Sequence, residues 1–338
     1  MLSPLLVTLD QAQRILDHHR NESMPISSFE EVKGSGYSAF TPTTTYEVVL
    51  SDTSAYLLKV ARAPSNLAGI YAPNTLAVEH TFLQQLAQYT SIPQPTPHAL
   101  DTSLALLPHH YLLLSRPRGL PLSHVRARGL LSERQALMLQ LRMGAYLKQL
   151  HGVQNDWFGL PAQAGDALYS WQEAFTGLLE DLLEEAHMRG VDAPYADVRG
   201  FLSRAIGFFL FDDCEVPSLV SFTGDEDAVL LDIDPDAPAQ ADEVVITSFL
   251  SFSHALWGDP LLETLFLNPS AALVEGYGGP LVLFARQKTK RIWYTLFLAV
   301  AVLVQAKREE MADEDKRVVW ARETLAKCIE DLKDAPCY

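Results

Sequence analysis

Five ionisable side chains lie at positions where they could act as general acids or bases: Lys59, Glu79, Asp225, Asp227 and His254. Lys59 follows an apolar, strand-like segment, and Glu79 lies in the helical apolar pattern of residues 76–89. The two aspartates and His254 each come shortly after a strand-like segment, at residues 218–222 and 244–250. Amine, carboxylate and imidazole groups can exchange protons with a bound molecule. At His254, a packed or exposed histidine without a chemical role is the alternative.

Residues 219–232, with the sequence LVSFTGDEDAVLLD, place polar positions within an apolar frame. They resemble the active-site segment L-V-H-x-D-L-x-x-x-N-[IV]-L-V-D of the aminoglycoside phosphotransferase and fructosamine kinase superfamily, a close relative of protein kinases. The resemblance puts the family's histidine at Ser221, its catalytic aspartate at Thr223 and its metal-binding asparagine at Ala228. It implies that the frame is retained and the reactive side chains are lost.

Residues 250–260, LSFSHALWGDP, are similar to a second segment of that family, I-D-x-E-x-A-x-W-G-D-P. The first aspartate of the family segment holds the nucleotide's magnesium ion, and Ser251 stands in its place. Asp259 matches the later aspartate, for which the resemblance implies a structural role in anchoring the catalytic loop. Hydroxyl and methyl groups are poor replacements for carboxylates around Mg²⁺. The resemblance therefore implies no metal site and no cofactor.

The segment YLLKVAR at residues 56–62 resembles the family strand that carries the nucleotide-binding lysine, here Lys59. Glu79 stands where the family has the carboxylate that pairs with this lysine. In an active kinase the lysine bridges to the α and β phosphates, and the carboxylate holds it in place. The alternative is a solvent-facing lysine and a helix-surface glutamate, a kind of pair that adds little stability.

Two further segments are similar to ligand-binding parts of the family. Residues 33–38, KGSGYS, fall in the nucleotide-loop region, where two glycines would let backbone amides approach phosphate; a G-x-G pair is also common in plain turns. Residues 111–116, YLLLSR, resemble the hinge that would pair with adenine. The resemblance thus implies a ligand-binding cleft lined by Gly34, Gly36, Leu113, Ser115, Ser221, Thr223, Ala228 and Ser251.

A shifted register would align Thr223, Gly224 and Asp225 with a histidine–glycine–aspartate sequence and restore a catalytic aspartate. The metal-binding asparagine would then fall on Leu230, and the strand at residues 229–231 would be displaced. The unshifted register is therefore favoured. In that register Asp225 or Asp227 could still reach the cleft.

The composition and charge of the chain limit the classes of protein to which it can belong. A chain of 338 residues, 48% hydrophobic and 20% charged, predicts two lobes with a large buried core. The net charge of −16 argues against nucleic-acid and anionic-membrane partners, which require clustered Lys and Arg. Three cysteines without metal-type spacing, and an N-terminus without a secretory pattern, indicate free thiols and a cytoplasmic location. The longest apolar run, 13 residues at 292–304, is too short to span a bilayer.

The charge is unevenly distributed along the chain. Between Ala205 and Ala285 there are 14 Asp and Glu residues and no Lys or Arg. The cleft bordered by this block is predicted to carry a negative potential and to prefer a cationic or neutral small molecule to a polyphosphate. A solvated acidic face is the alternative.

The order of elements predicts an α+β fold, and the resemblance implies a two-lobed, protein-kinase-like (aminoglycoside phosphotransferase-like) architecture. Residues 1–28 are predicted as an N-terminal helical extension, residues 29–115 as a small β-rich N-lobe, and residues 116–338 as a larger helical C-lobe with remnant catalytic and metal loops. Within the N-lobe, a hairpin at residues 46–60 and a helix at 76–89 precede a second strand pair within 98–114.

The predicted C-lobe is mainly helical. A capping box at Ser132 and Gln135 begins a helix that runs to about residue 150. Further helices are predicted at residues 170–189, 197–211, 279–309 with an interruption near Lys288, and 313–333. Strand-like segments interrupt this pattern at residues 218–222, 229–233 and 244–250.

These features predict a phosphotransferase-fold protein that is not a competent ATP-dependent kinase. The favoured function is binding of a small molecule in the cleft, with or without catalysis of a metal-free step such as cyclisation or isomerisation in small-molecule biosynthesis. A non-catalytic pseudokinase that binds another protein is one alternative. An unusual but active small-molecule kinase that uses Asp225 or Asp227 is the other. The oligomeric state is left open.

Overall fold

The computed structural model describes residues 7–20, 22–37, 41, 43–61, 73–233 and 244–336. Its strands are, in chain order, β1 (Ile26–Val32), β2 (Thr43–Leu50), β3 (Ala55–Ala61), β4 (Pro97–Asp101), β5 (Tyr111–Ser115), β6 (Leu120–Pro121), β7 (Ser218–Val220), β8 (Val229–Leu231), β9 (Ile246–Phe249) and β10 (Leu256–Gly258). Its α-helices are α1 (Leu9–His19), α2 (Leu76–Tyr89), α3 (Leu122–Ala127), α4 (Glu133–His151), α5 (Trp171–Met188), α6 (Tyr195–Gly207), α7 (Ala271–Tyr277), α8 (Ala285–Arg308) and α9 (Lys316–Lys333).

The described chain forms two compact units. The first contains the described residues before Leu131 together with those of Glu226–Ser253. The second contains Leu131–Asp225 and the described residues from His254 onward. The described residues of the segment 226–253, which the sequence predicts within the C-lobe, thus pack with the N-terminal part of the chain.

The first unit is built around a five-stranded antiparallel sheet with the strand order β1-β2-β3-β5-β4. The predicted hairpin is confirmed as β2 and β3, which pair with Thr45 opposite Lys59. Alternation along β3 puts Leu58 and Val60 in a buried cluster on one face of the sheet, so Lys59 faces the other side. The sheet therefore separates a packed face from the face that carries the candidate lysine.

Helix α1 covers the packed face of this sheet. Thr8 and Gln11 form a capping box at its N-terminus. Ile15 and Leu16 are buried in the same cluster as Leu58 and its neighbours. The N-terminal helix is therefore part of the core of the first unit.

Hydrogen bonds hold α2 against the segment that follows β9. The backbone N–H of Phe249 donates to the carbonyl of Pro93 at 2.9 Å. Asn74, just before α2, donates its side-chain amide to the carbonyl of Phe252 at 2.9 Å and its backbone N–H to the carbonyl of Ser253 at 2.6 Å. A second sheet, with the strand order β6-β8-β9, completes this attachment.

The second unit is mainly helical. Strands β7 and β10 pair antiparallel. Aromatic rings fill the space between α5 and α8, with Trp171, Phe175, Tyr294 and Phe297 fully or almost fully buried. Residues 296–304 of α8, which contain most of the longest apolar run, are buried in this core. Within the described ranges, no helix combines the length and the apolarity that a bilayer crossing requires.

The sequence predicts a helix at residues 279–309 with an interruption near Lys288, and the structure places the break elsewhere. Lys288 lies inside the continuous helix α8, so the predicted interruption there is wrong. The break lies earlier, because Gly278 and Gly279 take left-handed φ values of 105° and 124° and end α7, which was not predicted. The other predicted helices are confirmed within a few residues of their ends.

Two of the three cysteines lie in the described part of the chain. Cys214 and Cys328 are free thiols, and Cys337 lies outside the described residues. Burial raises the pKa of both, that of Cys328 to about 12. Both thiols are therefore poor nucleophiles near neutral pH.

Replacement of Ile15 by Ala is expected to destabilise the first unit. Ile15 is fully buried, and a large-to-small change in a core costs about 2–5 kcal/mol. Far-UV circular dichroism in urea measures the change, since all five tryptophans lie in the second unit. Leu9→Ala on the same helix is the control, because Leu9 is 48% exposed and its loss should cost under about 0.5 kcal/mol. Equal effects of the two substitutions would contradict the packing of α1.

Candidate ligand-binding site

A pocket of about 340 Å³ lies within the first unit. The sheet supplies Leu57 and Leu114 to its apolar wall, α2 supplies Leu83, and the segment after β9 supplies Leu250 and Phe252. Its polar lining residues are Lys33, Gly34, Ser35, Thr45, Lys59, Glu79, Asp227, Ser248 and Ser251. An apolar cavity with a few convergent polar groups is typical of small-molecule sites.

Lys59 and Glu79 form a buried ion pair in this pocket. Strand β3 directs Lys59 away from the α1 cluster, and Glu79 lies in the first turn of α2 after its N-cap residue Thr75. Lys59 Nζ binds Glu79 Oε2, and the two side chains are 15% and 6% exposed. Glu79 Oε1 is buried and, in the described part of the chain, accepts no hydrogen bond. The pair is therefore not a solvent-facing surface pair, and its carboxylate keeps one oxygen without a donor.

Asp227 connects the loop after β1 to α3. Its Oδ1 accepts hydrogen bonds from the hydroxyl groups of Ser35, at 3.1 Å, and Ser123, at 2.6 Å. Gly34 lines the pocket beside Ser35, and Gly36 follows with a φ of 70°. Ser35 and Ser123 were not identified from the sequence, since they lie 192 and 104 residues from Asp227 and no local signal relates them.

Ala228 and Ser251 line the same pocket and offer it a methyl group and a hydroxyl group. The Ser251 hydroxyl is hydrogen-bonded to that of Ser253 at 3.0 Å. Leu250, the residue before Ser251, takes a φ of 70°, where bulky side chains are strained. Its backbone N–H donates to the carbonyl of Ala228 at 3.0 Å. This bond joins the two segments on which the resemblance places metal-binding residues.

The predicted hinge residues are placed differently by the structure. Leu113 belongs to the buried cluster on the α1 face of the sheet, and Leu114 lines the pocket, because neighbouring residues of a strand face opposite sides. Ser115 ends β5, and its hydroxyl accepts the backbone N–H of Thr96 at 2.7 Å. The hinge strand therefore contributes an apolar side chain to the pocket at Leu114.

In the second unit, Ser221 and Thr223 belong to the loop that follows β7. Ser221 donates its backbone N–H to Glu263 Oε2 at 3.0 Å and its hydroxyl to Oε1 of the same carboxylate. Glu263 is fully buried, and His151 Nε2 lies 3.6 Å from its Oε2. His151 Nδ1 is also hydrogen-bonded to the hydroxyl of Tyr277 at 2.9 Å. The loop is thus held by a buried polar network.

The backbone of this loop is strained at Phe222. This fully buried residue takes a φ of 61°, which bulky residues rarely adopt. The hydroxyl of Thr264 donates to its carbonyl, and Glu263 holds the preceding residue. Sequence reasoning missed Glu263. A single carboxylate in the apolar run at residues 261–267 is a usable signal, since such residues are rarely buried without a partner.

Asp259 is buried after β10 and joins the following turn to α8. It accepts the backbone N–H of Leu261 at 2.9 Å and the hydroxyl of Tyr294 at 2.8 Å, and it pairs with Lys290. Burial by itself would lower the pKa of Lys290, but Asp259 and Asp213 together raise it above its ordinary value. These contacts give Asp259 a structural setting inside the second unit.

His254 and Asp225 also belong to the second unit, at the points where the chain passes between the units. His254 is 3% exposed. The pocket of the first unit is lined by neither of them. The structure therefore brings Lys59, Glu79 and Asp227 together in one pocket and leaves the other two candidates outside it.

The charge of the pocket is balanced. Lys33 and Lys59 stand against Glu79 and Asp227 in its lining. Of the ten described acidic residues of the 205–285 block, seven belong to the second unit and do not line this pocket. They are Asp212, Asp213, Glu215, Asp225, Asp259, Glu263 and Glu275. The predicted negative excess is therefore not a property of the lining of this pocket.

Comparison with known protein families shows which family the chain resembles. Residues 39–238, more than half of its length, match the model of the phosphotransferase enzyme family. No curated protein sequence matches the chain.

Solved structures share its fold at low sequence identity. A protein assigned as a fructosamine-3-kinase from Haemophilus somnus 129PT is 14% identical, with a TM-score of 0.63 over 94% of this chain and 96% of that one. A thermostable mutant of an aminoglycoside phosphotransferase, in ternary complex with ADP and hygromycin B, is 17% identical, with a TM-score of 0.57 over 95% and 98%. A microcompartment-associated aminopropanol kinase is 16% identical, with a TM-score of 0.59 over 98% and 100%.

These similarities confirm the predicted kinase-like fold, an N-terminal antiparallel sheet followed by a largely helical part. The match of the family model covers β2 to β8, including the ion pair of Lys59 and Glu79 and the loop after β7. The chain therefore belongs to the phosphotransferase enzyme family.

Proposed function

We propose that this protein no longer transfers phosphoryl groups and instead binds a small molecule in the pocket of its first unit, where it catalyses a metal-free, ATP-independent step such as cyclisation or isomerisation. One observation carries the proposal. Ala228 and Ser251, at the two metal-binding positions implied by the family resemblance, line the same pocket as the Lys59–Glu79 pair. The lysine pair is thus kept beside positions that have no carboxylate or amide oxygen on their side chains.

Phosphoryl transfer depends on Mg²⁺ to neutralise phosphate charge, and Mg²⁺ prefers carboxylate and water oxygens in octahedral geometry. The methyl group of Ala228 has no atom that binds a cation, and the hydroxyl of Ser251 is already bonded to Ser253. Thr223 stands where a carboxylate base would accept the substrate proton, a contribution of about 10²–10⁴ in rate. These replacements support the loss of the transfer step.

The backbone of both segments supports the alignment on which this proposal rests. Phe222 and Leu250, one residue before Thr223 and Ser251, are buried and take φ values of 61° and 70°. Strained backbone of this kind clusters at functional sites and persists only where the surroundings impose it. Retention of such strain beside altered side chains fits a former active site.

Asp227 gives limited support to the alternative of an active atypical kinase. It lines the pocket, but its Oδ1 already accepts the hydroxyl groups of Ser35 and Ser123. Those bonds suit a residue that holds the loop after β1 in place. A general base must come within hydrogen-bond reach of the reacting hydroxyl of a substrate, and the two serine bonds of Asp227 do not favour that role.

The pocket favours an uncharged ligand over a strongly cationic one, because its ionisable lining is balanced and its wall is apolar. Glu79 can accept a proton and Lys59 can donate one, so the pair can serve as base and acid in a desolvated site. Proteins of the same fold carry hygromycin B in a solved complex or are named for aminopropanol, which supports a small-molecule ligand here.

A second candidate function, binding of another protein without catalysis, is favoured by a separate observation. The second unit exposes large aromatic side chains, among them Phe209 and Phe284. The two candidates rest on different units of the chain, the first on the pocket and the second on the exposed aromatic side chains.

The wild-type protein is expected to show no Mg²⁺-dependent ATP turnover and a nucleotide affinity that Mg²⁺ does not change. Isothermal titration calorimetry with ADP and ATP, with and without Mg²⁺, and a coupled ATPase assay measure both. Restoration of oxygen ligands in the Ala228→Asn/Ser251→Asp variant should make Mg²⁺ raise nucleotide affinity by about tenfold or more. Turnover by the wild type that needs Mg²⁺ and disappears in Lys59→Ala would contradict the proposal.

A paired substitution separates a ligand-binding role of Lys59 and Glu79 from a structural one. Lys59→Met leaves a buried carboxylate without its cation and should cost about 3–5 kcal/mol of stability, whereas Lys59→Met/Glu79→Leu should be within about 1 kcal/mol of the wild type. Urea unfolding followed by circular dichroism measures these changes.

The same double variant should no longer retain the small molecules that copurify with the wild type. Mass spectrometry of the supernatant after denaturation of each purified protein provides the comparison. A wild-type preparation that releases nothing beyond what the double variant releases would count against ligand binding in this pocket.

A further inference from the structure

The pocket of the first unit has one end beside the predicted hinge, and the backbone of residues 111–117 offers no free donor there. Strand β5 lies between β3 and β4, so its own N–H groups face neighbouring strands. The N–H of Ser115 donates to the carbonyl of Thr96 at 2.9 Å, and the N–H of Arg116 donates to a carbonyl of β3 at 3.1 Å. Pro117, the next residue, lines the pocket and has no N–H. A ligand at this hinge end therefore receives no hydrogen bond from the hinge backbone.

A purine base needs such a donor. Adenine presents an acceptor ring nitrogen beside its amino group, so pairing of adenine with a backbone requires an N–H as well as a carbonyl. A ligand group that loses its water and gains no partner in the site lowers the affinity. The resemblance of the hinge implies pairing with adenine, and the backbone of this chain lacks the donor half of that pairing.

Side chains of two sheets form a mostly apolar lining at the hinge end. In the five-stranded sheet, Leu57 of β3 is the direct partner of Leu114 of β5, and both line the pocket. In the second sheet, Pro121 and Ser248 are the partners of Leu230 on its two sides, and all three line the pocket. Among these five side chains, the hydroxyl of Ser248 is the polar group. An apolar ring placed here can contact side chains of both sheets.

Donors become available further along β3, at Lys59. Leu57 and Lys59 are two residues apart on the same face of the strand, which is a distance of about 7 Å. Within the described chain Glu79 is the hydrogen-bond partner of the Lys59 ammonium, which carries further N–H donors. The side chain of Lys59 is also more exposed than that of Glu79, so the ammonium is the accessible end of the pair. Thr45, directly opposite on β2, adds a hydroxyl to the same part of the lining.

We propose that the ligand is an uncharged carbonyl compound with an apolar ring, bound with its ring at the hinge end and its carbonyl oxygen at Lys59. A carbonyl oxygen only accepts hydrogen bonds, so it matches the ammonium of Lys59 and the hydroxyl of Thr45. The ring lies where adenine would lack a donor. This inference rests on the proposed function, because it names the class of ligand for the same pocket.

The charge and the size of the pocket both favour such a compound. Two lysines and two carboxylates line the pocket, so a ligand with a carboxylate of its own would add an unbalanced negative charge to a desolvated site. The volume of about 340 Å³ is near the lower end of the range for small-molecule sites. A compact fused ring with a short carbonyl side chain is therefore a suitable probe.

Acetylnaphthalene, an uncharged ring ketone, serves as the probe, and ethylnaphthalene, which has the same ring and no carbonyl, is the matched control compound. The wild type is expected to bind the ketone about tenfold or more tightly than ethylnaphthalene, because a hydrogen bond from a charged donor contributes an effect of that size. Adenosine and naphthoate are each expected to bind more weakly than the ketone. Equilibrium dialysis of the full chain against each compound measures the four affinities.

Two variants test where the carbonyl oxygen is bound, and circular dichroism checks that each of them folds. Lys59→Met/Glu79→Leu removes the ammonium together with its carboxylate and should bind acetylnaphthalene and ethylnaphthalene equally. Ser248→Ala removes the hydroxyl at the hinge end and should keep the preference for the ketone. A preference that is kept in the double variant and lost in Ser248→Ala would overturn the proposal.

Failure of this inference can be distinguished from failure of the proposed function. A wild type that binds adenosine or naphthoate as tightly as the ketone would overturn the inference, and so would equal binding of the ketone and ethylnaphthalene. Release of a copurified small molecule by the wild type alone would still support the proposed function in those cases. Absence of any copurified molecule, together with no binding of the four compounds, would overturn both.

Discussion

Two hydrogen bonds to one oxygen of Asp227 tie together parts of the chain that are distant in sequence. The hydroxyl groups of Ser35 and Ser123 donate them, so the loop after β1 and helix α3 are fastened to the turn at which the chain returns to the first unit. A partly buried carboxylate needs such donors, because its desolvation is otherwise unfavourable. The pocket depends on this return. The returning segment places Ala228 and Ser251 beside the pair of Lys59 and Glu79. Its strand β8 pairs with β6 on one side and with β9 on the other.

The shape of the two altered segments is held by groups other than the side chains that the family resemblance makes catalytic. Glu263 and Thr264 bind the backbone around Phe222, and the carbonyl of Ala228 binds the N–H of Leu250. Because these bonds involve backbone atoms, they do not depend on the side chains of Thr223, Ala228 and Ser251, whereas the Ser221 hydroxyl adds a side-chain bond to Glu263. The backbone of both segments is thus fixed largely by groups outside the positions at which the family resemblance places reactive side chains.

The two units offer surfaces of different character. The first has a pocket of about 340 Å³ whose lining carries balanced charge, and such a pocket suits a small ligand. The second exposes large aromatic side chains, among them Phe209 and Phe284, and such side chains occur at contacts with larger partners. Seven of the ten described acidic residues of the 205–285 block lie in the second unit, and Asp227 is the one of these ten that lines the pocket.

Local signals in the sequence determined most helices and the first hairpin. Apolar spacing defines α2, and the capping box of Ser132 and Gln135 starts α4, because both signals act between residues only a few positions apart. The resemblance also pointed to Lys59 and Glu79 as a pair. Tertiary structure decided that Leu114 rather than Leu113 lines the pocket, that Glu263 holds Ser221 across 42 residues, and that Asp227 is fixed by Ser35 and Ser123. These outcomes depend on which distant groups satisfy a buried carboxylate or face a packed layer, and neither is encoded in the spacing of neighbouring residues.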